Sequence, residues 1–230
     1  DLTELQRHAN RLYGYSAQMT LDIAQKLYEQ RKLISYPRTD SRHLSVSVGD
    51  TLGAVVAAIA DPHRDRLAPG TGQRPLGARF VDDGKVTDHH AIIPTPLRAG
   101  AGLTAEERKI YDLICRRLLM AWHGDHVWAV TTLITAVAAE EADGATVIDR
   151  YHSSGTAVEH IGWKTLEASA SQPKEGVARK RKPIAEPSVE DGDDQVLPSG
   201  LTPGQALRVL DARTVAKQTR PPPRLTEAAL

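Results

Sequence analysis

Ile34-Ser35-Tyr36-Pro37-Arg38-Thr39-Asp40-Ser41-Arg42 is the stretch on which the reading of this chain turns. Pro37 biases Tyr36 towards extended backbone, so Leu33 to Pro37 is expected to form a short extended run. The phenol is followed closely by guanidinium groups, a carboxylate and hydroxyls. Such an inventory suits attack on a phosphodiester: phenol as nucleophile, arginine against the developing charge, and hydroxyls holding neighbouring phosphates. Alternate residues of an extended chain face the same side, so Arg38 is expected to share a phosphate with Tyr36. A polar turn after a strand uses the same residues, and both readings stay open at this level.

Working outward, Leu2, Leu5 and Leu12 predict a short helix over residues 2–12. After Gly14-Tyr15, Ser16 can cap a second helix to about Arg31, with Met19, Ile23 and Leu27 forming a buried stripe beside Ala24 and Tyr28. A third helix is expected from about Val46 to Ala60, through Leu52, Val55, Val56 and Ile59, ending at Asp61-Pro62. Residues 61–90 carry Pro62, Pro69, Gly70, Gly72, Pro75, Gly77 and Gly84, an irregular connection in which Arg79-Phe80-Val81 is expected to be a short strand. Thr104 and Glu107 form a capping box, and Ile110, Leu113, Ile114, Leu118 and Ala121 make a helical face up to Trp122.

The pattern then changes. Val127 to Ala139, Ala145 to Tyr151 and Thr156 to Ile161 read as strands, with Gly144 and Gly155 at the turns. The fold class expected is therefore α+β, with a helical part over 1–125 and a β-rich part over 126–230. A charged segment spans about 168–196: Arg179-Lys180-Arg181-Lys182 precedes Glu190, Asp191, Asp193 and Asp194, and it reads as a solvated loop. A further strand is expected over Ala206 to Leu210. At Thr226-Glu227-Ala228-Ala229-Leu230 a helix N-cap and first turn begin and stop. An isolated turn buries no face, so a piece of a longer chain is expected.

Asp88-His89-His90-Ala91-Ile92-Ile93-Pro94-Thr95 is the second chemical feature. Adjacent histidines on an extended chain face opposite ways and do not readily chelate one ion; one histidine bonding a phosphate or moving a proton is more economical. Pro221-Pro222-Pro223 between basic residues is a stiff spacer, a ligand for a proline-binding domain, or a device that places Arg224 and Thr226 at a phosphate. The acidic stretch at 190–194 has no apolar strand to fix it as a magnesium site.

Composition bounds these readings. The 230 residues hold 29 Lys plus Arg and 29 Asp plus Glu, and so give no global basic signal for nucleic acid. The total averages unlike segments, since residues 31–43 set Arg31, Lys32, Arg38 and Arg42 against Asp40. A single cysteine, Cys115, excludes an intramolecular disulfide and a multi-cysteine zinc site. No run approaches the ~18 apolar residues of a membrane span, and a soluble, cytoplasmic protein is expected.

Taken in order, these segments resemble the core of a type IA DNA topoisomerase, closest to the topoisomerase III branch. Asp1-Leu2-Thr3-Glu4-Leu5-Gln6 and Tyr15-Ser16-Ala17-Gln18 are similar to the approach to that family's catalytic segment, and Leu27-Tyr28-Glu29 with Ile34 to Ser41 to the segment itself. His89 to Thr95 resembles the family's histidine motif; Gly162-Trp163 and Pro221 to Ala228 are also similar. Ser35 stands where relatives often have Thr, and Arg31-Lys32 where some have a shorter turn with Gly.

The resemblance implies a nucleophile at Tyr36 that forms a transient 5′-phosphotyrosine, an arginine at Arg38 that stabilises the attacked phosphate, and a phosphate-contacting histidine at His89. It implies that Glu29, Ser35, Thr39, Asp40, Ser41, Arg42, His90, Arg224 and Thr226 line the site or hold the strand. The implied fold is a helical winged-helix-like domain carrying the tyrosine, followed by a β-rich arch segment and the start of the next helical domain. The implied partner is single-stranded DNA or locally unwound duplex, at the nucleoid, for relaxation or decatenation without ATP. Magnesium would be bound by a Toprim domain that nothing in these residues resembles, so no metal ligand is expected here, and the isolated segment is expected to be inactive in turnover. A rival from another class is a non-catalytic winged-helix DNA-binding module using Arg38, Arg42 and His89 only as phosphate contacts. Rolling-circle relaxases also combine histidines with a tyrosine, but theirs alternate with an apolar residue, whereas His89 and His90 are adjacent.

Overall fold

The computed structural model describes residues 1–170, 197, 200–216, 218–219, 221–222 and 224–226, without the side chains of 168–170. Two compact units result. One holds Asp1–His126 and the chain resuming at Ile161; the other holds Val127–His160 and later described residues up to Arg224. The charged run 179–182 and the acidic stretch 190–194 lie outside the described residues.

The three longest helices of the first unit start where a side chain satisfies a free N–H group. In α1 (Leu2–Tyr13) the Asp1 carboxylate accepts from the Glu4 N–H at 2.7 Å, and Gly14 closes the helix at φ 71°, a left-handed conformation that costs glycine nothing. Ser16 caps α2 (Ala17–Glu29), which buries Thr20, Ile23, Ala24 and Leu27. Thr104 and Glu107 form the expected capping box at the head of α5 (Ala105–Leu119), and a 3₁₀ turn, Met120–Trp122, extends it. Helix α2 packs against both α1 and α5. Their apolar faces meet in a core that includes Leu5, Ala9, Ile23, Leu27, Ile110, Ile114 and Leu119. Met19, expected in the buried stripe of α2, is 37% exposed instead.

The single helix expected over 46–60 is two helices, α3 (Val46–Gly49) and α4 (Leu52–Ile59). The break falls at Gly49-Asp50-Thr51, poor helix formers, where the Thr51 hydroxyl donates to the Val48 carbonyl at 2.8 Å. Arg79-Phe80-Val81 is a turn rather than a strand; Val81 makes only an isolated parallel bridge with Leu44.

The second unit is built on an antiparallel hairpin, β1 (Val127–Glu140) and β2 (Thr146–His160), with Gly144 at φ 80° in the connection. Gly155, expected at a turn between two strands, lies inside β2 opposite Thr131. It is buried, and glycine in a strand interior suits a place where backbone must pass closely. The strand expected over Ala206 to Leu210 is irregular, with Leu207, Val209 and Leu210 exposed. Its alternation has no strand to pair with among the described residues.

Candidate nucleic-acid site

The site grows from the end of α2. Lys32 takes φ 56°, left-handed for a non-glycine residue, and turns the chain out of the helix into an extended run. Leu33 and Ile34 are buried, and Ile34 bridges Pro94 on an antiparallel segment. The Ser35 N–H donates to the Ile93 carbonyl and the Thr95 N–H to the Leu33 carbonyl, both at 2.9 Å. With Pro37 fully buried, Tyr36 is fixed on both sides and stays half-buried.

Polar side chains continue this stitching. Ser35 Oγ donates to the Ala91 carbonyl at 3.2 Å and accepts from the Ile93 N–H at 3.0 Å. The buried Thr39 hydroxyl donates to the His89 carbonyl at 3.1 Å and accepts from the Ser41 N–H at 3.1 Å. Ser41 Oγ reaches the Lys85 carbonyl at 3.1 Å. Motifs around Tyr36 and His89, distant in sequence, thus become one surface. Ser35, Thr39 and Ser41 serve as its struts, with their hydroxyls committed to backbone.

On that surface the Tyr36 ring lies 4.4 Å, centroid to centroid, from the His89 ring at an interplanar angle of 46°. Tyr28 of α2 also meets the Tyr36 ring edge-on, at 5.4 Å and 77°. The exposed Arg38 guanidinium is held by Gln25: with the amide oxygen towards it, Gln25 accepts from Nη2 at 2.9 Å and Nε at 3.1 Å. Gln25 and Tyr28 are one turn apart on α2, so Tyr36 and Arg38 are braced by neighbouring positions of one helix face. The sequence reading missed both supports, although their i, i+3 spacing beside the apolar stripe was available as a signal.

Other predicted residues are placed differently. His90 accepts no share in the Tyr36 contact; its Nδ1 lies 2.7 Å from the Ala91 carbonyl. Glu29 and Asp40 are exposed. Asp40, Ser41, Arg42, His43, Lys85 and Thr87 line a shallow cleft of about 250 Å³. Arg42 is paired with Asp1 at 2.5 Å and Glu4 at 3.5 Å. Partial burial opposes the charge on Glu4, but Arg7, Arg42 and His8 outweigh it and hold its carboxyl below the usual range. Arg224 and Thr226 are exposed on an irregular segment and have no hydrogen bond or ion pair among the described residues. A larger groove of about 510 Å³ lies between α2 and the head of α5 and is lined by none of the predicted site residues. Tyr36 lines neither of these two clefts and is itself partly exposed.

A DNA topoisomerase family pattern matches residues 1–230. The DNA topoisomerase 3 of Bacillus anthracis is 39% identical over 233 residues, covering 100% of this chain and 29% of that protein. The Bacillus subtilis DNA topoisomerase 3 is 36% identical over 234 residues, with the same coverage of 100% and 29%. Among solved structures, full-length topoisomerase I from Thermotoga maritima aligns with a TM-score of 0.47 and 22% identity, over 80% of this chain and 29% of that one. The chain belongs to the type IA DNA topoisomerase family and is topoisomerase III-like. It spans 29% of the length of these topoisomerase 3 relatives.

Enzymes of this family are generally magnesium-dependent. Among the described residues no cluster of three or more His, Cys, Asp or Glu able to hold a metal occurs, so those residues do not fit such a site. In the same unit as Tyr36, the Asp1 and Glu4 carboxylates are committed to Arg42.

Proposed function

We propose that this chain supplies the strand-breaking surface of a type IA topoisomerase, with Tyr36 as nucleophile, in an enzyme that relaxes or decatenates DNA at the nucleoid. The observation that carries the reading is the contact of the Tyr36 ring with both His89 and Tyr28, with Arg38 braced two residues away. In this reading the first unit is the winged-helix-like cleavage domain, the hairpin belongs to the arch, and Arg224 and Thr226 are strand contacts.

Single-stranded DNA crosses the open face, and a phosphate settles at Arg38. The Tyr36 phenol gives up its proton as Oη bonds to phosphorus, and the 3′ oxygen departs as a hydroxyl. The strand's 5′ end is then held as a phosphotyrosine. Arg38 neutralises charge gathering on the non-bridging oxygens, and His89 can donate an N–H to one of them. A phosphodiester is exchanged for another phosphodiester, so the bond energy is retained and rejoining is the reverse attack by the 3′ hydroxyl. ATP is not required.

The test is covalent trapping. The chain, supplemented with a separate Toprim fragment and magnesium, is expected to become linked to a 3′-end-labelled oligonucleotide and to lose this on Tyr36→Phe. Strand binding without any adduct would replace this reading with that of a DNA-binding module. The chain without the Toprim fragment is expected not to relax supercoiled plasmid.

A further inference from the structure

We propose that Gln25 is a positioning residue for Arg38, a neutral brace that aims the guanidinium without cancelling its charge; this rests on the role proposed above for Arg38. Gln25 accepts two N–H bonds, from Nη2 at 2.9 Å and Nε at 3.1 Å. The opposite amide orientation would set its NH2 against the guanidinium donors, so the hydrogen bonding itself selects the oxygen. Guanidinium offers five N–H groups in a fixed fork, and the remaining three stay available for a phosphate.

The support under Gln25 is rigid. Its neighbours on α2, Ile23, Ala24 and Leu27, are buried in the core, so the amide is anchored within a helix that cannot shift without opening that core. One turn on, Tyr28 braces Tyr36 from the same helix. Nucleophile and cation are therefore referenced to one scaffold, which is what in-line attack on a phosphate between them demands.

The chemical character of the brace is the telling part. Arg31, Arg42, Arg79, Arg98 and Arg116 are each paired with a carboxylate. A carboxylate at such range offsets most of the field an arginine projects onto a third group. Arg38 has an amide instead, which restricts its orientation and leaves a full positive charge for the phosphoryl oxygens.

The decisive measurement is adduct formation on a 3′-end-labelled oligonucleotide, in the polypeptide that carries this chain, alongside strand affinity. Gln25→Ala is expected to slow adduct formation about tenfold, the scale of a misaimed catalytic group, while strand affinity changes less than about threefold. In an Arg38→Ala background the same substitution is expected to add less than about twofold, because its effect passes through Arg38. Gln25→Glu keeps an acceptor but supplies an opposing charge, and is expected to slow the reaction at least as much as Gln25→Ala. Should Gln25→Ala fail to fold, Gln25→Met, of similar shape and without the acceptor, takes its place. Wild-type rates in Gln25→Ala and Gln25→Met, or losses that multiply with that of Arg38→Ala, would overturn the proposal. Wild-type rates in Arg38→Ala and Tyr36→Phe would instead overturn the reading on which it rests.

Discussion

The Thr39 hydroxyl donates to the His89 carbonyl at 3.1 Å across a sequence separation of 50 residues. This bond joins the segment that holds Tyr36 to the segment that holds the His89 ring tilted against it, and the same oxygen accepts from the Ser41 N–H.

Thr39→Val keeps the volume but strands the Ser41 N–H and removes the donor to His89. A loss of about 1–3 kcal/mol is expected in urea unfolding, whereas Thr39→Ser should stay close to wild type. Adduct formation is expected to fall with Thr39→Val, because His89 is no longer tethered beside the tyrosine.

Glu107 links the head of α5 to the chain leaving α2. Burial opposes its charge, but the Thr104 N–H and the Arg31 guanidinium outweigh this and hold its carboxyl below the usual value of 4.5. A carboxyl depressed in the folded state stabilises fully above its unfolded value, and that stability is lost as pH falls through the folded value. Unfolding midpoints are therefore expected to drop below about pH 4.5. Glu107→Gln should be less stable at neutral pH and show a shallower acid limb.

Cys115 is buried, and burial pushes its thiol up to about 12. At neutral pH it is expected to resist thiol reagents in the native protein and to react fully in denaturant. Rapid native labelling with a chromogenic disulfide would contradict the packing of α5 described here.

Gly162 sits at φ 50°, and a Cβ there would overlap the Asp125 carbonyl oxygen. Its neighbour Trp163 donates its N–H to the Gly124 carbonyl at 3.0 Å, closing the chain's return from the hairpin. Gly162→Ala is expected to destabilise by about 1 kcal/mol or more, since both the conformation and the close approach are lost. A lowered thermal midpoint checks it.

Local signals in the sequence were legible where the physics is local. Ser16 and Thr104 announced the starts of α2 and α5 because capping is settled within a turn. The break between α3 and α4 lay in Gly49-Asp50-Thr51 but was masked by the apolar residues on each side. Gly155 was misplaced because a glycine signals either a turn or a close backbone passage, and only its pairing with Thr131 distinguishes them.

The order of motifs, with a tyrosine before proline, an arginine two residues later and a histidine pair further on, already placed this chain in its family. Family resemblance had singled out His89 of the pair, but tertiary structure alone decided that its ring touches the tyrosine and that three hydroxyls act as struts. It also showed that α2 braces both Tyr36 and Arg38 through Tyr28 and Gln25. Covalent order carries residue types and short spacings, whereas a ring contact or a shared acceptor exists only once burial of Leu27, Ile34 and Pro94 has brought separate segments together.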